Sequence, residues 1–372
     1  MPRIPSQPAA MLTALRRLFR PGYHAAGDVA AAPGGAAGPT RPADVPDAAL
    51  DVPRGPTSGS SAVGGGAATA AAGLLDDPSG FATAARVWIA ELRLEHGRGP
   101  DGDDVRRLLD ALVADPVDGI RQLPAAAQAT LAACNDPYVS MDALADRCGR
   151  DPTVAQELLR HANSAFYGRG GPATPHLRAA VDRVGVAGVR SVLLGVAVRG
   201  LLSRPGAELG GMGTAVWSHL VRTAPLARAV APVFGAAPET CYALGLLHDV
   251  GKLVIVDRAT DLRMTSRRTL RLPAAFVRDA FARLHEPVGA LAALRWGLGR
   301  DAARAIGTHH RDAAMTPGHD PLSEALCLAE RADLAAVRGE ALDLPALWAA
   351  AALGGSPEAA AAALRQAAAP AA

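Results

Sequence analysis

Residues 21–73 are almost entirely Ala, Gly, Pro, Ser and Asp, with no aromatic after Tyr23 and no apolar periodicity. Such a segment cannot bury enough apolar surface to offset the entropy of ordering it, so residues 1–73 read as a disordered N-terminal segment. Of the 372 residues, about 300 are left to fold, enough for one large or two small helical cores. Within the arm, residues 11–20 place Met11, Leu12, Leu15, Leu18 and Phe19 at helical spacing between arginines. That pattern suits a docking peptide, a membrane-surface contact or only a transient helix.

Beyond residue 74 the apolar spacing is helical. Residues 81–95 carry Val87, Trp88, Leu92 and Leu94 as a candidate buried stripe, and residues 103–113 carry Val105, Leu108, Leu109 and Leu112. Shorter helices follow over 142–148, 153–162, 177–184 and 189–202, with Gly185 and Gly188 between the last two. Asp151-Pro152 supplies an N-cap and a first-turn proline for the second of these. Leu158, Leu159, Val184, Val192, Leu193, Leu246 and Leu247 are the expected core. The run 252–256 (Lys-Leu-Val-Ile-Val) cannot be typed by periodicity, but one short strand makes no sheet, so the fold class is all-α. Ser356-Pro357-Glu358 starts a C-terminal helix whose one large apolar residue is Leu364, which predicts weak packing.

The formal net charge is +2, with no dense Lys/Arg run, so no nucleic-acid partner is expected. Cys134, Cys148, Cys241 and Cys327 are scattered without a C-x-x-C spacing, which argues against a zinc ribbon or disulfide scaffold. No apolar run reaches the ~18–20 residues of a membrane span, and the N-terminus lacks a signal-peptide pattern. A cytoplasmic location is expected.

Residues 243–252, Ala-Leu-Gly-Leu-Leu-His-Asp-Val-Gly-Lys, place an imidazole and a carboxylate side by side at the end of an apolar run. Lys252, the sole lysine of the chain, follows. A divalent metal takes nitrogen and oxygen ligands of this kind, and a phosphate near it would take the lysine. The competing reading of each histidine is a hydrogen-bonded or surface residue.

Residues 158–168, Leu-Leu-Arg-His-Ala-Asn-Ser-Ala-Phe-Tyr-Gly, resemble the Leu-Leu-x-x-x-Asn-Ser-Ala signature of bacterial HDOD domains. Residues 177–190 resemble its helix-Gly-helix continuation, and residues 245–252, 285–290 and 294–298 match later blocks in order. The resemblance implies an HD-like multi-helix domain over 116–338, preceded by a helical extension (74–115) and followed by an Ala-rich helical tail (339–372). HDOD domains are usually non-catalytic modules of signalling proteins, related to the HD and HD-GYP phosphohydrolases. Those enzymes gather ligands in an order that His219, His248, Asp249, His285, His309, His310 and Asp333 can fill here, implying one or two divalent ions such as Mn, Fe or Zn. Lys252 is the candidate phosphate contact. Residues 311–319 contain no Gly-Tyr-Pro loop, which argues against cyclic di-guanylate hydrolysis. Three functional readings follow: a regulatory domain acting through contacts with a signalling partner protein, a metal-dependent hydrolase of a nucleotide-like phosphate ester, or a purely structural helical scaffold. The Asn163-Ser164 pair reads as a helix end that braces the next loop.

Overall fold

The computed structural model describes residues 78–114, 125–168, 171–201, 210–266, 270–311 and 318–368. The disordered segment expected over 1–73 and the helix expected over 11–20 lie outside them. Among the described residues there are helices and no strands. The ambiguous run at 252–256 lies inside a helix, Val250–Ser266, whose residues from Val250 to Asp257 are all buried. A helix buried on every face shows no amphipathic period, which is why the run could not be typed.

Helices α1 (Pro78–His96) and α2 (Gly102–Ala114) form the extension. The buried stripe of α1 is Phe81, Ala85, Ile89 and Leu92, while Val87 and Leu94 are exposed. The sequence reading took Val87 and Leu94 into the stripe with Leu92; the helix instead turns Phe81, Ala85 and Ile89 inward at i, i+4 spacing and leaves Trp88 half-buried. Val105, Leu108, Leu109 and Leu112 of α2 are buried as expected.

Next come α3 (Ala125–Ala133), α4 (Met141–Gly149), α5 (Pro152–Ala162), the single turn α6 (Ala165–Gly168) and α7 (Leu177–Leu201). The Asp151 side chain caps α5 by accepting from the Thr153 and Val154 N–H groups at 2.8 and 3.3 Å. Leu158 is buried on α5 and Leu159 only half-buried, so the two are not equal core residues. Asn163 ends α5, and its amide exchanges two bonds with the Thr174 backbone, at 2.7 and 3.0 Å, bracing the following loop. Helix α7 bends at Gly185, whose φ of 67° is open to glycine and strained for other residues.

The remaining helices are α8 (Gly210–Val230), α9 (Pro238–Gly245), α10 (Val250–Ser266), α11 (Ala274–Arg295), α12 (Arg300–Gly307), α13 (Pro321–Arg338), α14 (Leu344–Ala351) and α15 (Pro357–Ala368). Helix α8 packs on α9 and α13, α10 on α11, and α11 on α12 and α1. Helix α15 packs on α8, with Ala360 and Leu364 fully buried. The expected weak packing is therefore corrected: small alanines let the helix approach closely enough to seat its leucine.

Where α5 and α6 meet α8 and α9, Arg228 is buried with its guanidinium 4.1 Å from the Phe166 ring centre and 3.8 Å from that of Tyr242. Its Nη2 donates to Glu239 Oε2 at 3.1 Å, and its Nε lies 3.0 Å from Oε1, too bent for a hydrogen bond but close enough to pair charge. Burial and the neighbouring Arg228 charge push His161 down to about 3. The four cysteines are free and buried. No helix among the described residues is long and apolar enough to cross a membrane.

Candidate metal centre

Two glycines set the distance between the helices that build the centre. A Cβ on Gly251 would overlap the carbonyl oxygen of His285, and one on Gly289 would press on Ile306. Helix α10 therefore crosses α11 at backbone contact, which lays His285 beside Asp249. Helix α8 brings His219, the turn before α10 brings His248 and Asp249, and the turn after α12 brings His309 and His310. All of these except His310 are essentially fully buried; His310 keeps its side chain 20% exposed.

Three imidazoles are oriented by backbone carbonyls. The Nδ1–H groups of His248, His285 and His309 donate to Gly245, Phe281 and Ile306 at 3.0, 2.5 and 2.7 Å. A carbonyl only accepts, so these three rings carry their proton on Nδ1 and a lone pair on Nε2. Burial holds His248 at about 4, and it holds His285 and His309 well below the ordinary histidine value, so all three are neutral near pH 7.

The lone pairs converge on Asp249. Its Oδ2 lies 3.8 Å from Nε2 of both His219 and His248, and its Oδ1 lies 3.7 and 3.8 Å from Nε2 of His285 and His309. Burial would raise this carboxyl, but the Lys252 ammonium, 2.7 Å from Oδ2, holds it well below the usual carboxylate range. Asp249 Oδ1 and His309 Nε2 are buried without a hydrogen-bond partner.

Two nitrogen pairs face each other directly. His219 Nε2 is 3.1 Å from His248 Nε2, and His285 Nε2 is 2.8 Å from His310 Nε2. Opposed lone pairs repel unless one proton or one cation lies between or beside them. Burial lowers His310, but the adjacent Glu330 carboxylate outweighs it, so His310 is raised and can donate to His285. For the other pair, both inward nitrogens present lone pairs at 3.1 Å, so an electron-pair acceptor beside them would relieve the contact, and His219 and His248 are placed to hold one.

Asp333 takes a different place from the one expected. Its Oδ2 accepts from His219 Nδ1 at 2.6 Å, and Arg222 clamps both oxygens at 2.7 and 3.0 Å. It stands behind His219 and fixes which nitrogen of that ring faces inward. The inward carboxylate from α13 is Glu330, which shares a possible ligand group with His219 and His248, while Glu286 joins His285, His309 and His310 in another. Sequence reasoning passed over both. Glu330 lies one turn before Asp333 on the same helical face, and Glu286 directly follows His285; those positions were the available signals. Lys252 is buried against Asp249 and thus committed to an ion pair.

The donors, neutral imidazoles around a buried charged carboxylate with orphaned atoms, suit a divalent transition metal. His219, His248 and Glu330 on one side of Asp249, and His285, His309 and His310 on the other, are the residues that would hold it.

A profile of the HDOD domain matches residues 120–312, more than half of the chain. An uncharacterized protein of Treponema pallidum (strain Nichols) is 26% identical over 227 residues, which are 59% of this chain and 43% of that protein. The chain thus spans less than half the length of this curated relative. The structure of a protein provisionally named a metal-dependent phosphohydrolase, from Shewanella amazonensis SB2B, superposes with a TM-score of 0.55 at 18% identity, over 70% of this chain and 96% of that one. A protein from Marinobacter aquaeolei VT8, provisionally named a signal transduction protein, gives 0.51 at 19% identity, over 80% and 65%. Likeness at these identities is likeness of fold.

Proposed function

This chain belongs to the HDOD domain family, and from that premise we propose that it is a metal-binding regulatory module acting through contacts with a signalling partner protein. The observation that carries the metal is the pair of His219 and His248 Nε2 lone pairs, opposed at 3.1 Å beside a charged Asp249. The regulatory role is supported by enclosure: Asp249, His248, His285 and His309 are 0% exposed, and Lys252 is spent on Asp249 rather than turned toward a phosphate. The Marinobacter protein's provisional name points the same way. In this reading His219, His248, Asp249, His285 and His309 would share an ion through their inward lone pairs, which would tie α8, α10, α11 and the turn after α12 together and present one fixed surface to the partner.

A second reading, phosphohydrolase, is favoured by the bridging position of Asp249 between two donor groups, and by the Shewanella protein's provisional name. A bound ion would supply Lewis-acid polarisation of a phosphate ester and a more acidic water. In that case the chain's own residues bind and orient: Lys252 would leave Asp249 to meet the phosphate, and His310 and Glu286, at the partly exposed edge, would exclude water or hold a proton.

Metal analysis of tag-free protein purified without chelator tests the shared premise. Comparing Asp249→Asn with the intact chain for metal content, phosphodiesterase turnover and partner co-purification then separates the readings. Stoichiometric metal and partner recruitment without turnover is the expected result. Turnover that disappears with the metal, while recruitment persists, would replace the regulatory reading by the enzymatic one. An intact chain that carries no metal and takes none up would remove the centre.

A further inference from the structure

Among the described residues, two that are not glycine have positive φ: Arg311 at 41° and Ala352 at 47°. That region is open to glycine and strained for a residue with a Cβ, so a chain keeps it only where the surroundings over-determine it. One hydrogen bond joins the two places. Arg311 Nε donates to the carbonyl of Ala351 at 2.9 Å, and Ala351 is the last residue of α14.

The rest of Arg311 is held as firmly. Its side chain is 0% exposed, its Nη2 donates to the Gly318 carbonyl, and the same nitrogen stands 3.1 Å from Glu324 Oε1 on α13. Its backbone N–H donates to the Thr308 carbonyl at 3.0 Å, and Thr308 Oγ1 lies 2.6 Å from Ser323 Oγ, also on α13. His309 and His310 are the two residues between these anchors. At the other end, the turn after α14 is fixed too. Trp348 Nε1 donates to the Gly354 carbonyl at 3.1 Å, the Trp348 ring stacks on Phe234, and a Cβ on Gly354 would overlap the His319 ring.

Acting as counter-charge to Glu324 is the simpler role for Arg311, but it accounts for less. A lysine would neutralise that carboxylate, and pairing charge asks for no left-handed backbone. The Nε bond to Ala351 does ask for a guanidinium, whose planar fork holds several acceptors in fixed directions. We infer that Arg311 is a positioning residue through which the end of α14 sets where His309 and His310 present their nitrogens, a role that rests on reading the histidine cluster as a metal centre. Helix α14 lies beyond residues 120–312, which match the family profile, so the ligand geometry answers to a part of the chain outside that match.

Two variants of the full-length chain test this. Arg311→Lys keeps a cation beside Glu324 but loses the Nε bond to Ala351. Trp348→Ala loosens the turn after α14 and leaves every ligand in place. Competition with a fluorescent chelator for zinc gives the affinity, which should fall at least about tenfold in both, the lower end for residues that orient ligands. Nitrogen NMR of the imidazoles in metal-free protein supplies a readout that a merely structural role would not move: His309 and His310 should shift together while His96 and His161 keep the intact pattern. Arg311→Lys decides the matter if Trp348→Ala folds poorly. Zinc bound by Arg311→Lys as tightly as by the intact chain, or unshifted His309 and His310 signals in that variant, would overturn the role and leave Arg311 a counter-charge. An intact chain that binds no zinc fails the metal reading instead, and the metal-free imidazole spectra still decide whether Arg311 positions the two rings.

Discussion

Arg228 and Asp249 are both buried charges ringed by histidine or aromatic side chains, yet the chain treats them differently. Around Arg228 it supplies a close counter-charge and two ring faces, Glu239 for the charge and Phe166 and Tyr242 for the guanidinium. Even where Arg228 Nε and Glu239 Oε1 miss hydrogen-bond geometry, they face each other at 3.0 Å. Around Asp249 it supplies one ammonium and then stops, leaving Oδ1 and His309 Nε2 without partners and two nitrogens opposed at 3.1 Å. Burial of polar groups does not by itself mark a functional site. A cluster completed by the chain is scaffold, whereas a cluster left electrostatically incomplete marks where something from outside belongs.

The largest effect should come from breaking the completed cluster. Glu239→Gln leaves the Arg228 charge buried without a counter-charge, which typically costs about 3–5 kcal/mol. The denaturant midpoint should fall accordingly whether or not metal is present. A midpoint within error of the intact chain would mean that stacking alone holds Arg228, and the contrast would lose one side.

The incomplete cluster should respond to ions instead. A divalent metal at a hundredfold excess over its Kd should stabilise the intact chain by about 2.7 kcal/mol, and chelator should reverse this. Asp249→Asn should abolish the response. Equal thermal shifts in both proteins would place the ion elsewhere. Asp333→Asn should be milder, because Asp333 orients His219 from behind: metal affinity should drop about 10–100-fold. Calorimetric titration would show it, and unchanged affinity would reduce Asp333 to a partner of Arg222.

The smallest effect at neutral pH concerns His161, at the edge of the Arg228 cluster, because its contribution changes only in acid. Its folded value of about 3 lies below the ordinary 6.5, so the unfolded chain binds more protons between those values. Its contribution is complete above about pH 6.5 and is lost as pH falls toward 3, at no more than about 1.4 kcal/mol per unit. His161→Gln should flatten that part of the pH–stability curve measured against the intact protein. Parallel curves would show that His161 protonates freely in the fold.

Helix class and most boundaries were legible because caps and apolar stripes are local signals, as at Asp151-Pro152 and over residues 105–112. The inner face of α1 was not, because Ala85 carries no visible apolar signal until a neighbour packs on it. The tail was misjudged for the same reason. The convergence of six candidate residues, from His219 to His310, followed from their order along the chain. Which carboxylate of α13 turns inward did not, since the positions of Glu330 and Asp333 differ by less than one helical turn and only the placement of Arg222 decides between them. Lys252 illustrates the same limit: spacing put it near Asp249, but spacing could not say that the two would pair.

The contact of Gly251 with the His285 carbonyl has a genetic consequence. A histidine lost from the centre would cost at most what a bound ion adds and leaves the α10–α11 crossing itself intact, so such alleles should still accumulate folded protein, with altered metal content. A single methyl group gained at residue 251 instead wedges two backbones apart, and no side-chain rotation can relieve it. Alleles at this glycine should therefore score as losses of the protein itself, and second-site revertants should restore room along the α10–α11 crossing rather than restore ligands.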